Sequence, residues 1–531
     1  MNEEPSRRQG AWGVACPHPA ATEAASAVLA EGGTAVDAAI CAAGVLTVAY
    51  PHNCSIGGDL IGLVRQGSQP PKAVYGVGRA AGGLDVEALG RSHGGAMPVS
   101  GPFSITVPGV VSGWIAMHEL GGSLPFARLL EPATELAARG VAVSPSVARA
   151  LSELTTDDPG MAEIFGPPGA RLKEGDLLVQ PQLSETIALV AKDPEGYYRG
   201  ELASRLASGL AASGSPLRAA DFHQHRSVVA DALETAGGRL APRVFRADLP
   251  SQGAFLGELV LALSELLEAG YDLTGTDGHR LARTFAAFSQ LRDELLCDPA
   301  RSTGSRAAQD RFRDLRRSAD VRSVPVTPGR VVPGPGAPPS GDTVAIVVRD
   351  GSGSSVSMLQ SIFYSFGSKV LDPETGVLFH NRGAMFSLEP GTPAELAPGL
   401  RPPHTLCPAM VDGGSAGSSL VLSTMGGRGQ PQILAGVLLA LASGKELSEA
   451  IAAPRIIVGD TDTLGSYRKV TAEADVPVPM LDSLVADGFD VDLVGRLDES
   501  TGHAQAVLVA PDGSLRAASD PRCDGTAVCG P

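Results

Sequence analysis

Aromatic residues, long apolar runs and paired cysteines are all scarce in this chain of 531 residues. Aromatic side chains make up 4% of the sequence, so the core must rest on alanine, valine and leucine. The longest apolar run, from Ala38 to Tyr50, is too short to cross a bilayer and predicts a buried helix. The seven cysteines form no CxxC pair, which favours reduced thiols over a disulfide framework, with a Cys523–Cys529 pair as the alternative.

An excess of basic residues is also absent. The chain has 42 Lys and Arg against 58 Asp and Glu, and its formal net charge of −16 argues against nucleic acid or an anionic membrane surface as a partner. With 43% hydrophobic and 19% charged residues, the composition is that of a soluble globular protein. The N-terminal sequence MNEEPSRRQGAWGVAC has no apolar signal segment, so we expect a cytoplasmic protein.

The first 300 residues are predicted to be mainly helical, with interspersed strands such as DLIGLVR at 59–65. Thr34 stands where a helix cap is needed, and Pro51 ends the helix that follows it. Apolar periodicity predicts further helices over 20–31, 111–120, 126–140, 145–154, 183–192, 201–213, 254–269 and 278–296.

Composition changes sharply over residues 301–342, where RFRDLRR is followed by VPVTPGRVVPGPGAPPSGD. This density of proline and glycine suits neither helix nor sheet and predicts a flexible tether, or simply a domain linker. The segments TVAIVVRD and SSVSMLQSIF then alternate like paired strands around a Gly/Ser turn at 351–354. The remaining chain is predicted to be β-rich, with strands at 376–380, 419–424 and 504–510 and two helices at 431–443 and 447–453.

Thr343 opens a strand directly behind this tether, as the nucleophile of a self-cleaving hydrolase does. Cleavage after Asp342 would free the α-amine of Thr343, and that amine can act as the base for the threonine hydroxyl. An α-amine titrates near pH ~7.7–8.0, so it is partly neutral at working pH. For this segment alone, an edge strand that happens to begin with a β-branched residue remains the alternative.

Several separated motifs carry a family resemblance. The chain opens with CPHPAATEAA and GGTAVDAAICAAGVLTVAYPHNCSIGGDL, and later contains VPGVVSGW (107–114), EGDLLVQPQL (174–183), LPSQGA (249–254), TMGGRGQPQ (424–432) and ASDPRCDG (518–525). In this order they resemble the gamma-glutamyltransferase (glutathione hydrolase) family, in its gamma-glutamyltransferase-like branch of the N-terminal nucleophile hydrolases.

The resemblance implies an α+β fold of four αββα layers and a precursor that cuts itself before Thr343. The products would be a large helix-rich subunit, 1–342, that ends in the tether 301–342, and a small catalytic subunit, 343–531. The two would stay associated. An amide donor would acylate Thr343, and water or an amine would accept the acyl group. The resemblance implies no cofactor and no metal, and it places the protein in glutathione metabolism.

The resemblance also assigns roles to individual residues. Ser361 falls on the second hydroxyl residue of the family, normally a threonine, which hydrogen-bonds the nucleophile. Gly426 and Gly427 fall on the glycines whose backbone N–H groups stabilise the oxyanion.

The substrate-binding positions depart from the family pattern. An asparagine is replaced by Phe363, two acidic positions fall on Arg382 and Met385, a serine pair falls on His404 and Thr405, and Arg79 is displaced by about two residues from the usual arginine.

An α-ammonium group beside Arg382 would be repelled, so we expect a donor that presents a carboxylate or amide oxygen instead. In the alternative, Arg382 pairs with a buried acid of the protein. The remaining functional alternatives are an oxamate-type amidohydrolase, a glutaryl-type acylase and a catalytically degenerate binding protein. The HQH sequence at 223–225 has metal-ligand spacing but no further ligands, so we expect a loop there.

Overall fold

The structure, a computed structural model, describes residues 10–302, 310, 331–333, 342–414, 418–459 and 467–531. Most of the predicted tether, 301–342, lies outside the described residues. Within it, Val331–Pro333 forms a strand that pairs in parallel with residues 491–493, so the expectation that this stretch would enter no sheet is wrong there.

Helices dominate the first half of the chain. The described helices are α1 (Pro19–Ala30), α2 (Ala35–Ala49), α3 (Val86–Ser92), α4 (Val110–Gly121), α5 (Phe126–Arg139), α6 (Pro145–Glu153), α7 (Pro159–Phe165), α8 (Pro181–Lys192), α9 (Gly196–Arg199), α10 (Glu201–Ala212), α11 (Ala219–Gln224), α12 (Leu256–Glu268), α13 (Gly278–Leu295), α14 (Gln430–Ala442), α15 (Leu447–Ile451) and α16 (Val478–Ala486). No helix among the described residues is long and apolar enough to cross a membrane.

Strands occur on both sides of the predicted cut. The described strands are β1 (Trp12–Cys16), β2 (Asp59–Arg65), β3 (Lys72–Gly76), β4 (Val141–Ala142), β5 (Leu177–Leu178), β6 (Val228–Asp231), β7 (Leu233–Gly237), β8 (Ala241–Arg246), β9 (Val331–Pro333), β10 (Asp342–Arg349), β11 (Ser355–Phe363), β12 (Leu371–Asp372), β13 (Val377–Leu378), β14 (Ala409–Gly414), β15 (Ser418–Thr424), β16 (Ile456–Val458), β17 (Lys469–Glu473), β18 (Asp490–Val494), β19 (Ala504–Val509), β20 (Leu515–Ser519) and β21 (Thr526–Gly530).

Two antiparallel sheets form the centre of the molecule. Sheet I has the order β21-β1-β10-β11-β2-β3-β6, and sheet II has the order β20-β19-β15-β14-β8-β7. In sheet I, β10 and β11 lie between β1 and β2, which come from the other side of the predicted cut. The segments before and after residue 342 therefore share one hydrogen-bonded ladder.

Side-chain alternation along β10 builds the layers. Val344, Ile346 and Val348 pack in the core shared with α1, α2 and α4, while Ala345 and Val347 pack in a separate core between the two sheets. A third core joins sheet II to α12, α13 and α14. The order helix, sheet, sheet, helix is the expected four-layer αββα arrangement. By the same alternation, Thr343 faces sheet II.

Small residues let α2 lie in the interior. All fifteen of its residues are buried, as expected for a helix that is apolar all round. Its N-terminus has the predicted Thr34 cap, completed by Asp37 as a capping box.

The sequence missed several elements. The C-terminal half contains a third helix, α16, in addition to the two that were predicted, with prolines at its N-cap and in its first turn. Prolines are tolerated there because the first turn has no intrahelical N–H bonds to lose. The strand predicted at 376–380 shortens to β13. Cys523 and Cys529 are separate thiols, so the alternative pairing is not formed.

A buried ion network supports the C-terminal part of sheet II. Arg522 donates through Nε to Glu473 at 2.7 Å and lies 3.1 Å from a carboxylate oxygen of Asp520. Arg455 pairs with the other oxygen of Asp520 and donates to the carbonyl of Gly502. Because these groups are shielded from water, a charge that lost its partner would remain buried and uncompensated, at a large cost in folding free energy.

Removing one member of this network should destabilise the protein strongly. Arg522→Met leaves Glu473 and Asp520 under-compensated, and we expect a loss of about 3–5 kcal/mol of unfolding free energy. The matched control is Lys72→Met, which breaks the exposed 2.7 Å bridge to Asp231 and should cost under ~1 kcal/mol. Guanidinium unfolding midpoints measure both in the Thr343→Ala variant, which should stay one uncut chain, and equal shifts would contradict the assignment.

Candidate active site

The predicted cut lies at an irregularity of the central ladder. Thr343 is opposite Ser361 on β11, and the pairing register shifts between Asp342 and Thr343. Such a β-bulge kinks the strand and loosens the ladder at one residue. The unpaired extra residue is Ile362 on β11, so the ladder is irregular directly opposite the peptide bond between Asp342 and Thr343. Both of these residues are 2% exposed.

Ser361 links the threonine hydroxyl to the carbonyl in front of it. Oγ1 of Thr343 donates to Oγ of Ser361 at 3.1 Å, and Oγ of Ser361 donates to the backbone carbonyl of Asp342 at 2.8 Å. The backbone N–H of Phe363 also donates to Ser361, at 2.9 Å. The two hydroxyl residues singled out by the sequence are thus in direct contact.

Arg382 places a positive charge beside this pair. Its side chain is fully buried in a turn of residues Arg382–Met385. Nη2 donates to Ser361 at 3.1 Å, and Nη1 donates to the hydroxyl of Thr405 at 3.0 Å. Burial lowers the pKa of Arg382 to about 9, and the carboxylate of Asp59 limits the fall.

The aromatic ring of Phe363 supports the guanidinium from one face. The Arg382 Cζ atom lies 4.2 Å from the centre of the ring, which is a cation–π distance. The ring stacks in turn on Tyr364 at 4.1 Å. Phe363 adopts φ 79°, a conformation that is rare for a bulky residue. A strained backbone of this kind persists only where the surrounding contacts hold the residue in place, as the contacts with Arg382 and Tyr364 do here.

No carboxylate of the described residues is within 4.0 Å of the Arg382 guanidinium. The alternative in which Arg382 pairs with a buried acid of the protein is therefore not found in that part of the chain.

A buried acid, Asp59, lies between His380 and His404, and of these three residues only His404 was predicted from the sequence. A carboxylate oxygen of Asp59 is 3.3 Å from both His380 Nδ1 and His404 Nε2. Burial would raise the pKa of the Asp59 carboxyl, but the two histidines outweigh burial and hold that pKa well below its usual value. Burial and the charge of Arg382 lower the pKa of His404 to about 3.

This cluster reaches the nucleophile through the sheet. Asp59 begins β2 and pairs in register with Ser361, while His404 precedes Thr405 in the chain. Asp59 could have been singled out from the sequence, because it ends the quoted SIGGD motif. Its contacts with the two histidines, however, are made only in the folded protein.

The two glycines of the TMGGRGQPQ loop follow β15. Gly426 has φ 140° and Gly427 has φ 50°, and a Cβ atom on Gly426 would lie 2.3 Å from Ile433. Among the described residues, neither of their N–H groups has a hydrogen-bond acceptor. Free adjacent N–H groups are what an oxyanion site requires.

Gln252 joins this loop to the substrate-binding positions and was also missed. Its side-chain amide donates to the carbonyl of Thr405 and, at 2.8 Å, to the carbonyl of Gly427. It lies in the quoted LPSQGA motif, but its partners are about 150 and 175 residues away in sequence.

Two predicted substrate residues, Arg79 and Met385, have no described hydrogen bond to Thr343 or Ser361. Arg79 is exposed and donates to the carbonyl of Gly399 at 2.6 Å, with no described hydrogen bond to the residues around Thr343. Met385 is buried, and its sulfur is 3.8 Å from Nη2 of Arg428.

The HQH segment is divided between surface and core. His223 is exposed, whereas His225 is buried and its Nε2 lies 2.7 Å from the hydroxyl of Ser112. The two histidines therefore do not face one site.

Comparison with known proteins agrees with this geometry. The family profile described as Gamma-glutamyltranspeptidase matches residues 21–530. The chain is 34% identical to the oxamate amidohydrolase proenzyme of Klebsiella pneumoniae subsp. pneumoniae, over 96% of this chain and 97% of the relative. It is 33% identical to the glutathione hydrolase-like YwrD proenzyme of Bacillus subtilis, over 97% of this chain and 98% of the relative.

Among solved structures, the cephalosporin acylase from Bacillus halodurans superposes with a TM-score of 0.82 at 26% identity, covering 99% of this chain and 98% of that one. The chain belongs to the gamma-glutamyltranspeptidase family and is an N-terminal nucleophile amide hydrolase.

Proposed function

We propose that Thr343 is the nucleophile of this hydrolase, first in self-cleavage and then in turnover. The observation that carries the proposal is the hydrogen-bonded line from Thr343 Oγ1 through Ser361 Oγ to the Asp342 carbonyl. It places a hydroxyl next to the bond that must break and a donor on the oxygen that becomes negative.

In self-cleavage, Oγ of Thr343 attacks the carbonyl carbon of Asp342. The C–N bond then breaks, the hydroxyl proton ends on the Thr343 nitrogen, and an ester joins the two residues. Water hydrolyses the ester and leaves a carboxylate on Asp342 and a free amine and hydroxyl on Thr343. The products are the large subunit 1–342 and the small subunit 343–531, which remain associated because β10 and β11 are hydrogen-bonded to β1 and β2.

In turnover, the free amine takes the proton of the Thr343 hydroxyl as it attacks the donor amide. The N–H groups of Gly426 and Gly427 stabilise the oxyanion. Water or an amine then accepts the acyl group.

The donor is an amide that carries a carboxylate and lacks an α-ammonium group. Arg382 supplies a buried positive charge on this side of the site, and its Nε has no hydrogen-bond partner among the described residues. A guanidinium is a planar fork that matches a carboxylate. An ammonium group there would meet a buried positive charge. The 34% identical relative is named for oxamate, whose carboxylate adjoins the reacting amide, and this supports a donor of that class.

Gamma-glutamyl transfer is the alternative activity, since another relative is named as glutathione hydrolase-like. It would require a carboxylate for the donor ammonium. Asp59 interacts electrostatically with Arg382, but its carboxylate is already shared by two histidines.

Thr343→Ala should abolish the cut. The wild-type chain should run as two fragments on a denaturing gel and give intact masses that correspond to 1–342 and 343–531. Thr343→Ser, which keeps the hydroxyl, should still be cut, at a lower rate. A wild-type protein that is active as one unbroken chain would refute the assignment.

A matched pair of donors tests the charge of the pocket. Glutaryl-p-nitroanilide and gamma-glutamyl-p-nitroanilide differ only in the α-ammonium group, so repulsion by Arg382 should make kcat/KM at least about tenfold higher for the glutaryl compound. Ammonia release from oxamate tests the shorter donor. Faster turnover of the gamma-glutamyl compound would favour the alternative.

Turnover should depend on pH through the new N-terminus. The amine must be neutral to act as a base, and its reference pKa is ~7.7–8.0, so activity should be lost as pH falls below this range. A kcat/KM profile that stays flat between about pH 6 and 9 would argue against the amine as base.

A further inference from the structure

We propose that Arg382 promotes the self-cleavage by acting through Ser361, as a positioning residue for the hydroxyl that polarises the Asp342 carbonyl. This inference rests on the proposed self-cleavage at Thr343, but it concerns a step that involves no donor and so is separate from donor recognition.

The Ser361 hydroxyl is surrounded by more partners than it can bond at one time. Oγ of Ser361 has four partners within hydrogen-bond distance: the Asp342 carbonyl at 2.8 Å, the Phe363 N–H at 2.9 Å, and Thr343 Oγ1 and Arg382 Nη2 at 3.1 Å each. A hydroxyl has one proton to donate and two lone pairs that accept. Four partners therefore exceed its capacity by one.

The direction of the Ser361 proton follows from the chemistry of these partners. The Asp342 carbonyl can only accept, while the N–H groups of Phe363 and Arg382 can only donate. The Ser361 proton therefore points at the carbonyl of the bond to be cut. Three donors remain for two lone pairs.

Thr343 is the donor that can be released. The Phe363 N–H is fixed by the backbone, and the guanidinium is held by Thr405 and by the ring of Phe363. When those two groups fill the lone pairs of Ser361, the Thr343 hydroxyl is displaced from its bond to Ser361. Its oxygen is then free to attack the neighbouring carbonyl carbon.

The charge of Arg382 adds to this effect. A hydroxyl that accepts a hydrogen bond from a cation is a stronger donor, because bonds in such a chain polarise one another. Arg382 is fully buried, so water screens the charge little. The negative charge that develops on the Asp342 oxygen during attack is therefore stabilised by Ser361 backed by Arg382.

The experiment follows cleavage during a short pulse of cell-free translation, with samples quenched over time and separated on a denaturing gel. The variants are Arg382→Lys, which keeps the charge, Arg382→Gln, which keeps only a neutral donor, and Arg382→Met, which keeps neither. Removing a direct oxyanion donor costs about 10²–10³-fold in rate, so Ser361→Ala should be slowed by about that factor.

Because Arg382 acts through Ser361, we expect Arg382→Gln and Arg382→Met to slow cleavage by about 10- to 100-fold and Arg382→Lys by less than about tenfold. The decisive result is that Arg382→Lys is cleaved faster than Arg382→Gln. If Arg382 were needed only for packing or for a neutral hydrogen bond, Arg382→Gln would be cleaved at least as fast as Arg382→Lys. Equal rates for lysine and glutamine, or a wild-type rate for methionine, would overturn the proposal.

Two controls separate this result from folding. Arg246→Met removes another fully buried arginine, which lies on β8 and has no described contact with Ser361, and it should cleave at the wild-type rate. Each Arg382 variant is also combined with Thr343→Ala, and its melting temperature is compared with that of Thr343→Ala alone.

Where an Arg382 variant does not fold, Thr405→Val replaces it, because it releases one arm of the guanidinium and keeps the charge. Slower cleavage by Thr405→Val supports the proposal, and an unchanged rate contradicts it. If Thr343→Ala itself is still cut, the proposed nucleophile is wrong, and that outcome is distinct from any Arg382 result.

Discussion

A single serine oxygen, shared by a backbone carbonyl, a backbone N–H, a threonine hydroxyl and a guanidinium, is the contact on which the site depends. Its hydrogen bonds are strong because water is excluded from the site. Ser361 and Arg382 are fully buried, so each hydrogen bond is stronger than it would be in water, and each unmatched group is more costly. The acid between His380 and His404 supplies the compensating negative charge without touching the guanidinium.

The fold supplies this contact by bringing distant segments to one end of the two sheets. β10 and β11 present Thr343 and Ser361, β2 presents Asp59, and the turn after β13 presents Arg382. Gln252 ties the chain near Thr405 to the glycine loop, so the charged side of the site and its oxyanion side are connected by one side chain. Each residue is held by a regular element or by a buried hydrogen bond, which fixes the geometry before any substrate arrives.

Local sequence signals predicted most of the helices, because caps, prolines and apolar periodicity act over a few residues. They also predicted the β10–β11 hairpin, whereas the contact of Thr343 with Ser361 was expected from the family resemblance. What the sequence could not show was the set of contacts between distant segments, such as Asp59 with His404 or Gln252 with Gly427. For the same reason, the sequence could not decide whether the Arg382 guanidinium pairs with an acid of the protein or carries an uncompensated charge.

The interleaving of β10 and β11 between β1 and β2 has a further consequence. An intact chain can unfold and refold by one molecular process, whereas two chains that share a ladder must find each other again in solution. Hydrolysis of the linking peptide also cannot be reversed by folding. After the cut, the lifetime of the active enzyme is therefore set by the rate at which its two subunits dissociate. This is kinetic stability, and it differs from an equilibrium between native and denatured states.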